Sequence, residues 1–337
     1  MKAYVWTNPS EIQIREIPDP TATTEEVVVR VHYAGICGSD LSGYLGENSL
    51  RKPPLIMGHE FTGTIIAKDD SAQEREIGEL VTVNPLLACG VCEACRRGFP
   101  QYCPFREIIG IHRPGAFAEF VTVPASACLP VSNEQSGSLT EPLACSIRAA
   151  RQAGVQSGDA VAVFGAGIIG LFSVWAARFM GARTVVLVDT NQARLKLGTA
   201  FGATNLVDVH NGAVLEQITD AAGGYVQRAI DAVGLSETRA QTIQVVQPGG
   251  TAAWIGLHEE ESVVPANLIV RKEVNTVGSF CYAEDDFQTA HRTIEKGHIE
   301  LDNAWLSIRP AKDIQRSFDE QIHGPATYPK ILLSLMN

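Results

Sequence analysis

Residues 159–170 read Asp159-Ala160-Val161-Ala162-Val163-Phe164-Gly165-Ala166-Gly167-Ile168-Ile169-Gly170, an apolar run that meets three spaced glycines. The run predicts a short buried strand, and the residues after Gly167 open a helix. In that setting Gly165 permits a tight turn and Gly167 lets backbone approach a pyrophosphate. Gly170 lets the helix pack closely on the strand. The N–H groups of Ile168 and Ile169, at the helix start, then face the phosphates with the positive end of the dipole. A plain tight turn is the competing reading of the glycines taken alone. Nineteen residues beyond Gly170, the strand Thr184-Val185-Val186-Leu187-Val188 ends in Asp189. A carboxylate there accepts hydrogen bonds from ribose hydroxyls and repels a 2′-phosphate. Thr190 and Asn191 follow, with no arginine, so NAD is expected rather than NADP.

Strand and helix patterns alternate outward from this point. Strands are expected at 183–189, 205–207, 228–232, 251–255 and 275–280, and helices at 192–201, 214–222 and 236–246. Such alternation implies a doubly wound parallel sheet wrapped by helices, the Rossmann type of α/β fold. Upstream the first third reads as mostly β, with Glu11–Ile17 alternating and Val27–Val31 β-branched. A helix is expected at 143–153. After the sheet come a helix at 286–296 and an apolar strand at 330–335.

At 337 residues the chain exceeds what one hydrophobic core supports, so two domains are expected. The formal charge of −11 speaks against nucleic acid or an anionic membrane surface as the main partner. No apolar stretch reaches the roughly 20 residues of a membrane helix, and Met1–Trp6 runs into polar residues without a secretion core. A cytoplasmic location is therefore expected. In that setting eight cysteines suggest metal or chemistry rather than disulfides. Four of them, Cys89, Cys92, Cys95 and Cys103, fall in one glycine- and proline-rich loop. Four thiolates can close a tetrahedron around zinc and leave no open position, so such a site is structural. Cys128, Cys145 and Cys281 have no metal spacing and read as packing residues.

Two further motifs, Gly35-Ile36-Cys37-Gly38-Ser39-Asp40 and Gly58-His59-Glu60-Phe61-Thr62-Gly63, complete an ordered set with the cysteine loop and the glycine turn. Together they resemble the zinc-dependent medium-chain alcohol dehydrogenases over essentially the whole chain. Thr140-Glu141-Pro142-Leu143, Ile269–Glu273 and Gly278-Ser279-Phe280 are similar to the sorbitol (polyol) and galactitol-phosphate dehydrogenase branch. The resemblance implies a mostly β, GroES-like catalytic domain at 1–146 and 281–337, and an NAD-binding Rossmann domain at 147–280. It also implies a catalytic zinc on Cys37, His59 and Glu60. Glu141 is either a further ligand or a hydrogen-bond partner of the ligand water. Ser39 could relay the alcohol proton; relatives carry a histidine shortly after this serine, whereas Leu41-Ser42-Gly43-Tyr44 stands here. Asp40 reads as a structural acceptor.

The chemistry supports a metal. Zinc lowers the pKa of bound water by about 9 units, on the order of 12 kcal/mol. A general base typically contributes only about 3–5 kcal/mol. In the family the substrate lies in the interdomain cleft, where Tyr44, Arg51, His112, Arg113 and Phe280 are candidate lining residues. Arg113 either holds a substrate carboxylate or phosphate or is a solvated surface charge. Val233, Leu257 and Phe280 sit at turns that face ribose and nicotinamide, and Arg194 is a candidate at the adenine end. The resulting expectation is NAD-linked oxidation of a polyol or sugar-like secondary alcohol by a homodimer or homotetramer. A zinc-independent reductase or a non-catalytic protein on the same scaffold is the alternative.

Overall fold

The strand Ala160–Phe164 is buried at every position, as the unbroken apolar run requires of a strand covered on both faces. It lies inside a six-stranded sheet ordered Asn205–Asp208, Thr184–Asp189, Ala160–Phe164, Val226–Asp231, Val246–Trp254, Asn275–Gly278. Every neighbouring pair is parallel. The chain builds outward from Ala160–Phe164 in one direction, then returns to its other side at Val226–Asp231. Phe164 and Asp231 are registered partners there, so the loops after both strands leave the sheet side by side, at the point where such folds bind ligands. This sheet and its helices form one compact unit, Pro142–Tyr282.

A second unit comprises Met1–Glu141 and the chain from Ala283 onward. Its central strand, Glu26–Gly35, pairs antiparallel with Glu60–Lys68, Phe120–Pro124 and Lys330–Ser334. Leu306–Pro310 extends the sheet in parallel beyond Lys330–Ser334. Its core includes Trp6, Phe61, Phe117 and Phe318, each at most 2% exposed. A fully buried aromatic or aliphatic side chain of this size contributes about 1.5–3 kcal/mol. The computed structural model describes residues 1–336, and no helix among them is long and apolar enough to cross a membrane.

Several elements differ from the sequence expectation. The helix expected at 192–201 ends at Leu197. A Cβ on Gly198 would sit 2.4 Å from Leu187 Cδ2, and Gly202 turns the chain at φ +99°. The strand expected from 251 starts at Val246, and the last strand of the sheet stops at Gly278. Three helices, Gly38–Tyr44, Ala266–Lys272 and Ile314–His323, and the strand Leu306–Pro310 had no counterpart in the sequence reading.

Candidate active site

Cys37 ends the segment leaving the central strand and stands at the N-terminus of helix Gly38–Tyr44. His59 directly precedes the neighbouring strand, and Glu60 opens it, registered against Gly35. That pairing needs a glycine: a Cβ at Gly35 would lie 2.3 Å from Glu60 Oε2 and 2.8 Å from Lys330 Cε. The fold thus brings the Cys37 sulfur, a His59 ring nitrogen and a Glu60 carboxylate oxygen within 4.8 Å of one another.

His59 and Glu60 are buried, and charged side chains surround them. Lys330 is 1% exposed; its ammonium donates to Glu60 Oε2 and, at 3.0 Å, to the Ile36 carbonyl. Glu60 Oε1 is buried with no protein partner. Asp40, fully buried, accepts from Cys37 N at 3.1 Å and lies 3.4 Å from His59 Nδ1, which leaves Nε2 free to face a metal. Burial alone would raise the Asp40 pKa, but His59 and Arg51 outweigh it and bring it down to about 2. Burial likewise pushes the His59 pKa down, yet the Asp40 and Cys37 charges carry it well above the usual imidazole value. An imidazole set between the Asp40 carboxylate and the Cys37 sulfur suits a divalent cation. Ser39 Oγ donates to Cys37 Sγ at 3.3 Å.

Glu141 lies in the first turn of helix Thr140–Ala153, 8% exposed. It is not part of the group that gathers around Cys37, which consists of Cys37, His59 and Glu60. The four-residue set of the sequence reading therefore assembles as three.

In the cysteine loop, Cys89 Sγ lies 3.9 Å and Cys92 Sγ 3.4 Å from Cys95 Sγ. Cys103 completes the cluster. A tetrahedron of 2.3 Å Zn–S bonds has edges of about 3.8 Å, so the spacing fits zinc. Backbone N–H groups of Val91 and Cys92 lower the Cys89 pKa to about 6. Burial and the neighbouring thiols push Cys95 up to about 12. Four sulfurs this close ionise together only with a cation among them.

At the dinucleotide turn, Gly165 has φ +101° and Gly170 packs so tightly that a Cβ would lie 1.7 Å from Gly165 O. Gly167, the N-cap of helix Ile168–Phe179, faces open space with nothing within 4 Å of its Cβ position. Ile168 and Ile169 form the first turn of that helix. Asp189 accepts from Ala166 N and from Asn191 N at 2.6 Å, so it braces the turn from the adjacent strand. Arg194 lies one turn further on; burial lowers its pKa while Asp189 opposes the shift. Val233 packs against Gly165, Leu257 is 72% exposed, and Phe280 follows the last strand, half-buried.

The structure places the four candidate substrate residues as follows. Tyr44 is 1% exposed and packs on Phe318 at 5.1 Å between ring centroids. Its hydroxyl donates to the Ser10 carbonyl at 2.8 Å, so it belongs to the core. The Arg51 side chain is fully buried; it donates to Asp40 and Ser39 and lies behind the metal donors. His112 is exposed, with Nδ1 accepting from Ile108 N at 3.0 Å within its own loop. Arg113 donates to Glu26 at 2.6 Å and to the Thr122 carbonyl at 3.1 Å, so its charge is already compensated.

Two residues escaped the sequence reading. Lys330 had been read only as part of an apolar strand, although a lysine at the head of such a strand was the available signal. Arg239, on helix Ser236–Val245, donates to the carbonyls of Gly256 and Glu259 and to Ser262 Oγ. It also lies 3.8 Å from Asp231 and over the Trp254 ring. It thereby ties together the loops that follow Val226–Asp231 and Val246–Trp254, and nothing in its local sequence signals this.

Residues 23–133 match the alcohol dehydrogenase GroES-like domain, and residues 169–296 match the zinc-binding dehydrogenase domain. The chain is 30% identical to L-galactonate-5-dehydrogenase of Escherichia coli strain K12, covering 96% of this chain and 95% of that one. It is 32% identical to a sorbitol dehydrogenase of Bacillus subtilis strain 168, covering 84% and 83%. The crystal structure of a zinc-binding dehydrogenase from Sinorhizobium meliloti 1021 bound to NADP superposes with a TM-score of 0.91. It shares 30% identity, over 99% of this chain and 98% of that one.

Proposed function

The chain belongs to the zinc-binding dehydrogenase family that joins an alcohol dehydrogenase GroES-like domain to a dinucleotide-binding domain, and on that premise we propose that it oxidises a secondary alcohol of a polyol or sugar derivative to a ketone, reversibly, with NAD. Residues 1–146 and 281–337 form the catalytic domain in this reading, and 147–280 the cofactor domain. The observation that carries it is the gathering of Cys37, His59 and Glu60 around one point, with Glu60 Oε1 buried and unpartnered. Cys37, His59 and Glu60 would hold a zinc ion and leave room on it for the substrate oxygen. Zinc supplies the Lewis acidity that eases loss of the alcohol proton, and NAD accepts the hydride.

The chain's own residues divide the remaining work. Lys330 holds one Glu60 oxygen so that the other faces the metal. Asp40 orients His59 from behind, as carboxylates behind metal-bound imidazoles do. Ser39, whose hydroxyl donates to Cys37 Sγ, takes up the alcohol proton in this reading. Glu141, outside the donor group, is assigned to proton handling rather than ligation. Cys89, Cys92, Cys95 and Cys103 hold a structural zinc. Gly167 and the first turn of its helix take the pyrophosphate, and Asp189 the adenine ribose. Arg194, Val233, Leu257 and Phe280 complete the cofactor contacts.

Relatives named for galactonate and sorbitol support a polyhydroxylated substrate. Arg113 and Arg51, the two cations first considered for an anionic group, are both engaged within the protein, which favours a neutral polyol over a phosphorylated one. Assembly as a homo-oligomer through the sheet edge at Asn275–Gly278, and a cytoplasmic setting, belong to the same proposal. A screen of NAD and NADP reduction over hexitols, pentitols, sugar acids and sugar phosphates tests it. The expected result is turnover of at least one polyol, with NAD preferred. Equal kcat/KM for the two dinucleotides would remove the Asp189 argument. A zinc-replete protein inert toward every alcohol would favour the non-catalytic alternative.

A further inference from the structure

Arg51 has no place in the metal donor set, yet its side chain is wholly withdrawn from solvent. Burying a guanidinium is unfavourable unless its donors find acceptors. Here one nitrogen makes both contacts: Nη2 donates to Asp40 Oδ1 at 3.0 Å and to Ser39 Oγ at 3.1 Å. Its charge is paired with Asp40, yet Nε and Nη1 are buried without a partner, so the side chain is held by that one nitrogen.

The space it occupies is a property of this chain. A Cβ at Gly43 would lie 2.4 Å from Arg51 Cδ and 3.2 Å from Nε. Helix Gly38–Tyr44 therefore admits the arginine only because it carries no side chain at Gly43. From that slot two short paths reach the metal donors. One runs through Asp40 to His59 Nδ1, 3.4 Å away. The other runs through Ser39 Oγ to Cys37 Sγ, 3.3 Å away.

We propose that Arg51 is a positioning residue that fixes Asp40 behind His59 and locks the Ser39 hydroxyl in one orientation. A serine hydroxyl has one proton and two acceptor sites, whereas a guanidinium has donors only and keeps its protons at any physiological pH. With Nη2 on one acceptor site, the Ser39 proton is turned toward Cys37, and one acceptor site is left for the proton of an incoming alcohol. Ser39 cannot pass a proton onward through Arg51. A proton taken up at the remaining Ser39 site therefore leaves to solvent by a route other than Arg51, in place of the histidine relay that the Leu41–Tyr44 segment lacks. The role in metal holding stands on the geometry, while the role in proton flow rests on the dehydrogenase reading.

The test uses the full-length protein with Arg51→Met, Arg51→Lys, Ser39→Ala and the Arg51→Met/Ser39→Ala pair. Zinc affinity is measured by chelator competition, alongside steady-state kinetics. Loss of a residue behind a metal ligand typically weakens binding 10–100-fold. Arg51→Met is expected to weaken one zinc by that factor and leave the cysteine-loop zinc unchanged, which reports an intact fold. Arg51→Lys, with donors for both acceptors, should restore most of the affinity. In turnover, Arg51→Met should lower kcat with little change in cofactor KM, and its loss should not multiply with that of Ser39→Ala. Gly43→Ala, which displaces the arginine, should resemble Arg51→Met. If Arg51→Met holds both zincs within about threefold of the parent, the proposal is overturned. Fully multiplicative kinetic losses overturn the Ser39 lock. A parent that turns over no alcohol while Arg51→Met still loses one zinc would remove the dehydrogenase reading and support the positioning role.

Discussion

Replacing Gly167 with alanine separates cofactor binding from folding more cleanly than any other single change in the dinucleotide turn. Its backbone, at φ −70° and ψ 175°, suits alanine, and the added Cβ meets nothing within 4 Å. Folding is therefore unharmed. The smaller conformational entropy of the unfolded chain adds about 0.4–1 kcal/mol of stability. The methyl group would nevertheless fill the open space beside the helix N–H groups, where the proposed function puts a pyrophosphate oxygen. Losing one charge-assisted hydrogen bond costs about 1.5–3 kcal/mol, equivalent to roughly 10- to 150-fold weaker NADH binding. Gly170→Ala should behave in the opposite way. Its Cβ would meet backbone, Gly165 O at 1.7 Å, so the helix must shift and about 1–3 kcal/mol or more of stability is lost. NADH fluorescence titration and thermal unfolding of both variants, with zinc content as a control, distinguish the two. If Gly167→Ala bound NADH as tightly as the parent, the pyrophosphate would not lie at this turn. A fully stable Gly170→Ala would contradict the packing argument.

Removing Lys330 by Lys330→Met leaves Glu60 as a lone buried charge and should cost about 3–5 kcal/mol. Adding Glu60→Gln should recover most of that in urea unfolding of the zinc-stripped protein, and no recovery would show that the pair is not the source. Cys103→Ser, at a fully buried sulfur of the cysteine loop, should release one zinc per chain by elemental analysis and lower the Tm, while a zinc count matching the parent would exclude that site. Arg113→Ala should leave KM for acidic and neutral substrates alike unchanged but destabilise the protein by about 1–3 kcal/mol, as expected for a half-buried pair. The sign with pH follows from Glu26: burial raises its pKa, but Arg113 and Thr23 outweigh this and hold it below the ordinary value. The stabilisation is thus present above the ordinary carboxylate pKa and fades as pH falls through the lowered one. Arg113→Ala should flatten that acid limb, and an unchanged limb would refute the pairing.

The parts legible in the sequence are those whose constraints are local. A buried strand, a turn that needs glycine and a helix start lie within a dozen residues, so the dinucleotide turn could be read from Asp159 to Gly170. The cysteine loop is equally local, because the ligand spacing is the site. The parts that were missed depend on residues far apart in the chain. Lys330 meets Glu60 across a separation of 270 residues, and Arg113 meets Glu26 across 87. Nothing near Arg113 could show that its charge was already taken. Tyr44 stands beside the Cys37 motif and looked like a site residue, yet Phe318, from a helix that was not anticipated, makes it core. Arg51 lies beside the Cys37, His59 and Glu60 group with its side chain turned into the interior. Only the empty Cβ position of Gly43 explains how its side chain is buried behind Asp40 rather than lining the substrate space.

Zinc stoichiometry of the parent and of Cys37→Ser, determined together with their turnover, tests the central claim most directly. Two zincs per chain are predicted for the parent. One is predicted for the variant, with the cysteine-loop zinc retained and alcohol oxidation abolished. A Cys37→Ser protein that kept both zincs, or that oxidised alcohols at the parental rate, would contradict a metal centre built on that thiolate.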